Sequence, residues 1–317
     1  MSSKRVIVTG GAGYIGSHIV KELKGKGYEV GVLDNLSRGK LEWAEKAGMD
    51  EFFEVDILNF DELKDVFEKY RPFCVMHLAA KVSVEEGEKK KAEYWNVNFL
   101  GSKNVFEVAK LVEAKVVFSS SASVYGDWKS GAFKEEDFTK PVSCYAKTKM
   151  AGEYVLFDFH SDAVALRYFN VIGFDKSLGM HLDEGGLPAN IVLSLKTGKK
   201  FKIYGNDWDT KDGTPVRDFV DVRDVARAHI FVLERILMKK GEGMILNCGT
   251  GRGVSVLEVC EKIREEFNEF EWEFAGRRKA DLGYVIADVS KINALGWRAT
   301  YSPVDEFVRV VKELLGE

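Results

Sequence analysis

Short apolar runs and stretches of helical spacing alternate along the first half of the chain. Val6, Ile7 and Val8 form a β-branched run that enters Gly10-Gly11-Ala12-Gly13-Tyr14-Ile15-Gly16, and a helix-like pattern follows through Ile19, Val20 and Leu23. A second apolar run, Glu29 to Leu33, ends on Asp34, and a third strand is expected over residues 51–56. Asp61 to Tyr70 places Leu63, Val66 and Phe67 on one helical face, and Arg71-Pro72 stops it before a strand from Phe73 to Leu78. A long helix is expected from Tyr94 through Val105, Val108 and Leu111. Next comes an apolar run, Val116-Val117-Phe118, that changes abruptly to hydroxyls at Ser119-Ser120-Ser121. Repeated strand–helix alternation predicts an α/β fold, a doubly wound parallel (Rossmann) sheet joined to a smaller α/β substrate-binding domain.

The glycines refine that picture. Gly10 permits a tight turn out of the strand, Gly13 lets the backbone approach a pyrophosphate, and Gly16 lets the helix pack close to the sheet. The helix start offers unpaired N–H groups and partial positive charge to phosphates. Asp34 stands at about the separation expected of the acid that accepts the adenosine ribose hydroxyls, and it would repel a 2′-phosphate. The expected cofactor is therefore NAD rather than NADP.

Other candidate chemistry falls where strands end. Ala79-Ala80 follows one strand, where small side chains let a ligand approach the backbone. Asn98 is expected to turn inward and bond the chain near the cofactor. Ser121 closes the hydroxyl-rich strand end, and Tyr145 and Lys149 share a helical face four residues apart. A tyrosine titrates near ~10, so a nearby ammonium is expected to stabilise its phenolate, with Ser121 aligning a substrate hydroxyl. Gly249 to Gly253 is another Gly-rich turn, but no acidic strand end follows at the required spacing, so it is read as structural.

Composition sets outer limits. The 317 residues are 45% hydrophobic and 30% charged, enough for a large core in a soluble protein. The net charge of -4, without a basic block, argues against nucleic acid or an anionic membrane as partner. Cys74, Cys144, Cys248 and Cys260 form no CxxC pair and no cluster with histidine, so reduced thiols, no metal and a cytoplasmic location are expected. The first five residues are too short for a signal region, and no apolar run approaches membrane-spanning length.

With the glycine turn, Ser121 and the Tyr145/Lys149 pair, the chain resembles the extended short-chain dehydrogenase/reductase family and, within it, the UDP-glucose 4-epimerases. Thr9 to His18, Asp34 to Leu36, Ser119 to Gly126, Leu166 to Asn170, Tyr204 to Asp207, Asp212 to Phe219 and Asn247 to Gly251 all look like that family's segments. The resemblance implies tightly held NAD and reversal of configuration at C4 of a UDP-sugar by hydride removal and return. By analogy Tyr14, Ile15, Asp34, Asn35, Leu36, Ser37, Arg38, Gly39, Asp56, Ile57, Leu78, Ala79, Ala80, Lys81, Val82, Asn98 and Phe169 line the NAD site. Lys149 sits on the nicotinamide ribose, while Ser121 and Tyr145 work on the sugar C4 hydroxyl. Asn170, Asn190, Ile191, Lys202, Ile203, Tyr204, Arg217, Arg278 and Asp281 match positions that hold the nucleotide end. Guanidinium suits that task, since its planar fork matches phosphate oxygens. A homodimer is also implied.

Two positions depart from the family pattern. Some members carry lysine where this chain has Val82, with Lys81 one place earlier, and some carry tyrosine in the sugar pocket where this chain has Val285. The second change widens the expected substrate range to the N-acetylated UDP-sugar pair. Domains are expected at 1–166 plus about 219–247 for NAD, and at about 167–218 plus 248–317 for the UDP-sugar. Two other readings stay open: a nucleotide-sugar dehydratase or decarboxylase, and a non-catalytic NAD-sensing protein. Those dehydratases generally place an Asp-Glu pair after the Ser/Thr of the strand end, whereas Ala122-Ser123 follows Ser121 here. The intact Ser121, Tyr145 and Lys149 speak against the sensor.

Overall fold

In the computed structural model, residues 1–4, 127, 129, 130, 180–185, 238–242, 279–281 and 317 lie outside the described residues. The chain divides into two compact units. The first comprises Met1–Val124, Pro141–Tyr168 and Val225–Leu246; the second comprises Tyr125–Lys140, Phe169–Asp224 and Asn247–Glu317.

The first unit is built on a seven-stranded sheet. Its strands run in the order Met244–Cys248, Val164–Tyr168, Lys115–Ser121, Cys74–His77, Arg5–Thr9, Glu29–Leu33 and Glu51–Phe53. Arg5–Thr9 pairs in parallel with Glu29–Leu33 on one side and with Cys74–His77 on the other. Strand order reverses there, and a parallel sheet binds ligands outside the carboxyl ends of its strands at such a reversal. Gly10, Asp34, Leu78 and the hydroxyl end at Ser121 all lie at that edge. The strands are apolar on both faces, as helices on both sides require: Val6, Ile7, Val8, Val75, Val116 and Phe118 are fully buried. Leu63, Phe67, Val105, Phe106 and Leu156 from the helices close one side of this core.

The long helix expected from Tyr94 is interrupted. Lys91–Trp95 and Ser102–Leu111 are α-helical, but Asn96–Gly101 forms a wider π turn. Apolar spacing does not register one wide turn. The widened backbone presents Asn98 inward, and Gly101 leaves room for Ile57, whose Cδ1 would lie 2.5 Å from a Cβ added there.

In the second unit Val216–Asp221 is the central strand. It pairs antiparallel with Gly253–Ser255 and parallel with Tyr284–Ala287 and Asn170–Ile172, and Tyr284–Ala287 carries Ala132–Phe133 at its other edge. A separate parallel pair joins Phe201–Tyr204 to Trp272–Ala275. Helices Leu187–Thr197, Val256–Glu266 and Pro303–Leu315 supply Ile191, Ile263 and Phe307 to its core, where Phe219 and Phe307 meet edge to face at 4.7 Å. Asp218 is buried and accepts hydrogen bonds from the Thr250 N–H and hydroxyl and from the Gly251 and Ala287 N–H groups. Burial pushes its carboxyl up, and those donors pull it partway back. The glycine turn at 249–253 is thus wrapped around a carboxylate.

Candidate active site

The glycine turn is shaped by close approach. Gly10 has φ +71°, and a Cβ there would lie 2.8 Å from the Ala79 nitrogen; at Gly16 it would lie 2.1 Å from the Gly10 carbonyl oxygen. Helix Tyr14–Gly25 starts behind Gly13 with no side-chain cap and no acidic residue in its first turn. A Cβ on Gly13 would meet only the Gly10 carbonyl oxygen, at 3.2 Å. Open space beside uncapped N–H groups is what a pyrophosphate needs, so these residues fit a dinucleotide.

Asp34 is buried at the end of the neighbouring strand. Its carboxylate accepts from the Ala12 N–H at 3.1 Å and the Leu36 N–H at 2.9 Å. Burial raises its pKa, opposed by those two bonds. The segment beyond folds back onto the turn: Leu36 takes φ +54°, Asn35 donates to Asp56, and the Lys40 N–H donates to the Ala12 carbonyl. Gly39 lies against Ala12, while Ser37 and Arg38 are exposed. Ile57 is buried beside Asp56.

A buried polar chain runs from this turn to the helix bearing Tyr145. Thr9 Oγ1 accepts from the Leu78 and Ala79 N–H groups, so its hydroxyl donates to His77 Nδ1 at 2.7 Å. His77 Nε2 then donates to Ser102 Oγ, whose hydroxyl donates to the Asn98 carbonyl. The Asn98 side chain holds both the N–H and the carbonyl of Lys81 and donates to Thr148 Oγ1, which donates to the Tyr145 carbonyl. Burial pushes His77 down to about 3, with a further push from Lys149, so the imidazole is a neutral bridge. Sequence reasoning found Asn98 but missed Thr9, His77, Ser102 and Thr148. Polar residues at the ends of apolar strands and inside an apolar helix were the available signal.

Ser121 ends its strand with its Oγ accepting from the Ser123 N–H at 3.2 Å and the Ser123 hydroxyl at 3.0 Å. Lys149 Nζ donates to the Ser119 carbonyl at 2.8 Å and lies 5.1 Å from the Phe118 ring centre. Burial depresses this ammonium to about 7, and the charge of Glu153 offsets part of that. The expected lowering of the Tyr145 pKa by Lys149 is not what this structure has. Burial raises the phenol, the Ser121 side chain opposes it, and Lys149 is directed to a carbonyl instead. Lys81 is also diverted: its ammonium pairs with Glu93 at 2.6 Å, while Val82 is exposed. Among the described residues no group of His, Cys, Asp and Glu is arranged to hold a metal ion, and no helix is long and apolar enough to cross a membrane.

The second unit contains a cavity of about 400 Å³ whose walls include Asn170, Asn190, Lys202, Tyr204, Arg217 and Arg278. Arg278 stacks its guanidinium 3.7 Å from the Tyr204 ring centre, and Arg217 donates to the Val216 carbonyl. Ile191 and Ile203 are fully buried core residues outside the cavity wall. Val285 is buried in the strand beside Arg217 and is likewise outside that wall. Phe169 falls in this unit too, its N–H bonded to the Cys248 carbonyl. Asp281 lies outside the described residues.

Residues 6–249 match the model of the NAD dependent epimerase/dehydratase family. UDP-glucose 4-epimerase of Dictyostelium discoideum is 38% identical over 319 residues, covering 95% of this chain and 93% of that protein. The crystal structure of UDP-glucose 4-epimerase from Brucella ovis in complex with NAD superimposes with a TM-score of 0.90 at 34% identity, covering 98% of each chain. The UDP-Glc/GlcNAc 4-epimerase of Campylobacter jejuni does so with a TM-score of 0.82 at 33% identity, again over 98% of each chain.

Proposed function

The chain belongs to the NAD dependent epimerase/dehydratase family, and from that premise we propose that it is an NAD-dependent 4-epimerase of UDP-sugars. The observation that carries the proposal is the gathering of the Gly10 turn, Asp34 and Ser121 at one sheet edge, with the helix that bears Tyr145 and Lys149 anchored there by the Lys149–Ser119 hydrogen bond. Bound NAD supplies a reversible hydride acceptor. Gly10, Gly13 and Gly16 shape its pyrophosphate site, Asp34 takes the ribose hydroxyls, and Asn98 fixes the Lys81 backbone beside it.

Tyr145 takes the proton of the sugar C4 hydroxyl as the C4 hydride leaves, and Ser121 holds the two oxygens in line. The resulting 4-keto sugar turns, accepts the hydride on its other face and recovers the proton from Tyr145. Lys149, anchored on the Ser119 carbonyl, binds the ribose. In the second unit Arg217 and Arg278 hold the diphosphate, with Asn170, Asn190 and Tyr204 around the nucleotide.

The protein works in the cytoplasm as a homodimer. Support for the dimer is apolar exposure on neighbouring helices: Trp95 and Leu100 are 38% and 44% exposed, and Tyr154 is 66% exposed. Val285, where some family members carry tyrosine, favours a sugar pocket that also admits 2-acetamido sugars. Mass spectrometry of the purified protein for retained NAD, followed by a screen of UDP-sugars for interconversion, tests the proposal. Absence of NAD together with failure on every UDP-sugar sinks it.

A further inference from the structure

Two consecutive arginines follow the strand Trp272–Ala275, and they face different neighbours. Arg278 stacks on Tyr204 in the cavity wall, whereas Arg277 is committed to the loop at 205–213. Its Nε donates to the Asp207 carboxylate at 2.7 Å, its Nη2 donates to the Asp207 carbonyl, and its guanidinium lies 3.9 Å from the Trp208 ring centre. One face and one edge of a single planar cation thus grip two adjacent residues.

The indole is seated for this contact. A Cβ on Gly205, which has φ +91°, would lie 2.3 Å from Trp208 Nε1, and a Cβ on Gly283 would lie 2.9 Å from Trp208 Cε3. The indole N–H donates to the carbonyl of Tyr204, the residue that Arg278 covers. The Gly205 N–H donates to the Ala275 carbonyl, so the strand that leads into both arginines and the strand that leads into the 205–213 loop are joined at their ends.

We propose that Arg277 is a positioning residue for diphosphate binding, acting through Arg278: by clamping Asp207 and Trp208 it fixes the backbone that carries Arg278 and the Tyr204 ring beneath it. This rests on the reading of the cavity as the UDP site. An exposed ion pair alone contributes little. The combined stack and two-point clamp hold a charged side chain in one place, so the ordering cost is met before the ligand arrives.

The test is a double-mutant cycle on holoenzyme, with UDP and uridine binding measured by calorimetry and KM and kcat by steady-state assay. Arg277→Ala should weaken UDP by about tenfold and raise KM, with uridine affinity and kcat changed less than about twofold. In an Arg278→Ala background the same substitution should have no further effect on UDP, because its target is gone. Arg277→Lys should behave like Arg277→Ala, since an ammonium lacks the planar fork, and it decides the matter if the alanine variant does not fold. Additive losses in the cycle, or equal weakening of UDP and uridine, overturn the inference. Failure of wild-type holoenzyme to bind UDP instead refutes the assignment of the cavity.

Discussion

Lys149 Nζ sits 2.8 Å from the carbonyl oxygen of Ser119, with Glu153 the carboxylate whose charge most offsets the cost of burying that ammonium. The folded pKa is depressed to about 7 from an ordinary 10.5, so the folded state resists a proton that the unfolded chain accepts. Wild type therefore carries a full stability penalty below about pH 7, and the penalty fades as pH rises to about 10.5. Lys149→Met should be less active yet more stable at neutral pH, with an advantage that shrinks toward pH 10.5. Urea unfolding of both proteins at pH 6, 8 and 10 measures it. An advantage that grows with pH contradicts the assigned sign.

Removing the Tyr145 hydroxyl deletes the proposed proton acceptor while leaving the ring to pack. Tyr145→Phe should lower kcat by roughly 10²-fold or more with NAD still bound. A variant with near wild-type kcat would take the residue out of the acid/base role.

Asp34 is held in place by Ala12 and Leu36 before any ribose arrives. A 2′-phosphate would set like charges together at a buried carboxylate, so protein stripped of cofactor should regain activity with NAD in preference to NADP. Equal recovery with both, with Arg38 then the phosphate partner, is the outcome that rules this out.

How much was legible beforehand depended on whether the signal was local. The strand Arg5–Thr9, its glycine turn and Asp34 lie within one short stretch, so spacing alone placed them. Tyr145 and Lys149 are likewise one helical turn apart. The Thr9–His77–Ser102–Asn98 chain was not legible, because residues from four elements meet only after the sheet and helices pack. The direction of the Tyr145 shift was misjudged for a related reason: sequence spacing brings an ammonium near but does not show how deeply the phenol is buried, and burial is the larger influence here. Ile191 and Ile203 were placed in the ligand site by position, yet both are fully buried in the second unit's core.

On the proposed reading, Val285 bears on substrate width from its buried place in the strand Tyr284–Ala287. The residue is 6% exposed and lies opposite Arg217 in the strand register. Val285→Tyr should overfill the site and cost about 1 to 3 kcal/mol wherever an N-acetyl group competes for the same space. UDP-N-acetylglucosamine and UDP-glucose assayed side by side should show kcat/KM falling much further for the acetamido sugar. An unchanged ratio, or a wild type that ignores the acetamido sugar, defeats the reading.

The most direct test follows the hydride itself. UDP-glucose carrying deuterium at C4 is turned over by the protein as purified, with no added cofactor, and the UDP-galactose formed is analysed by mass spectrometry and proton NMR. Hydride removal and return within one site predicts full retention of deuterium at C4 and no accumulation of free NADH. Hydrogen from water at C4, or NADH released in step with product, would contradict the account.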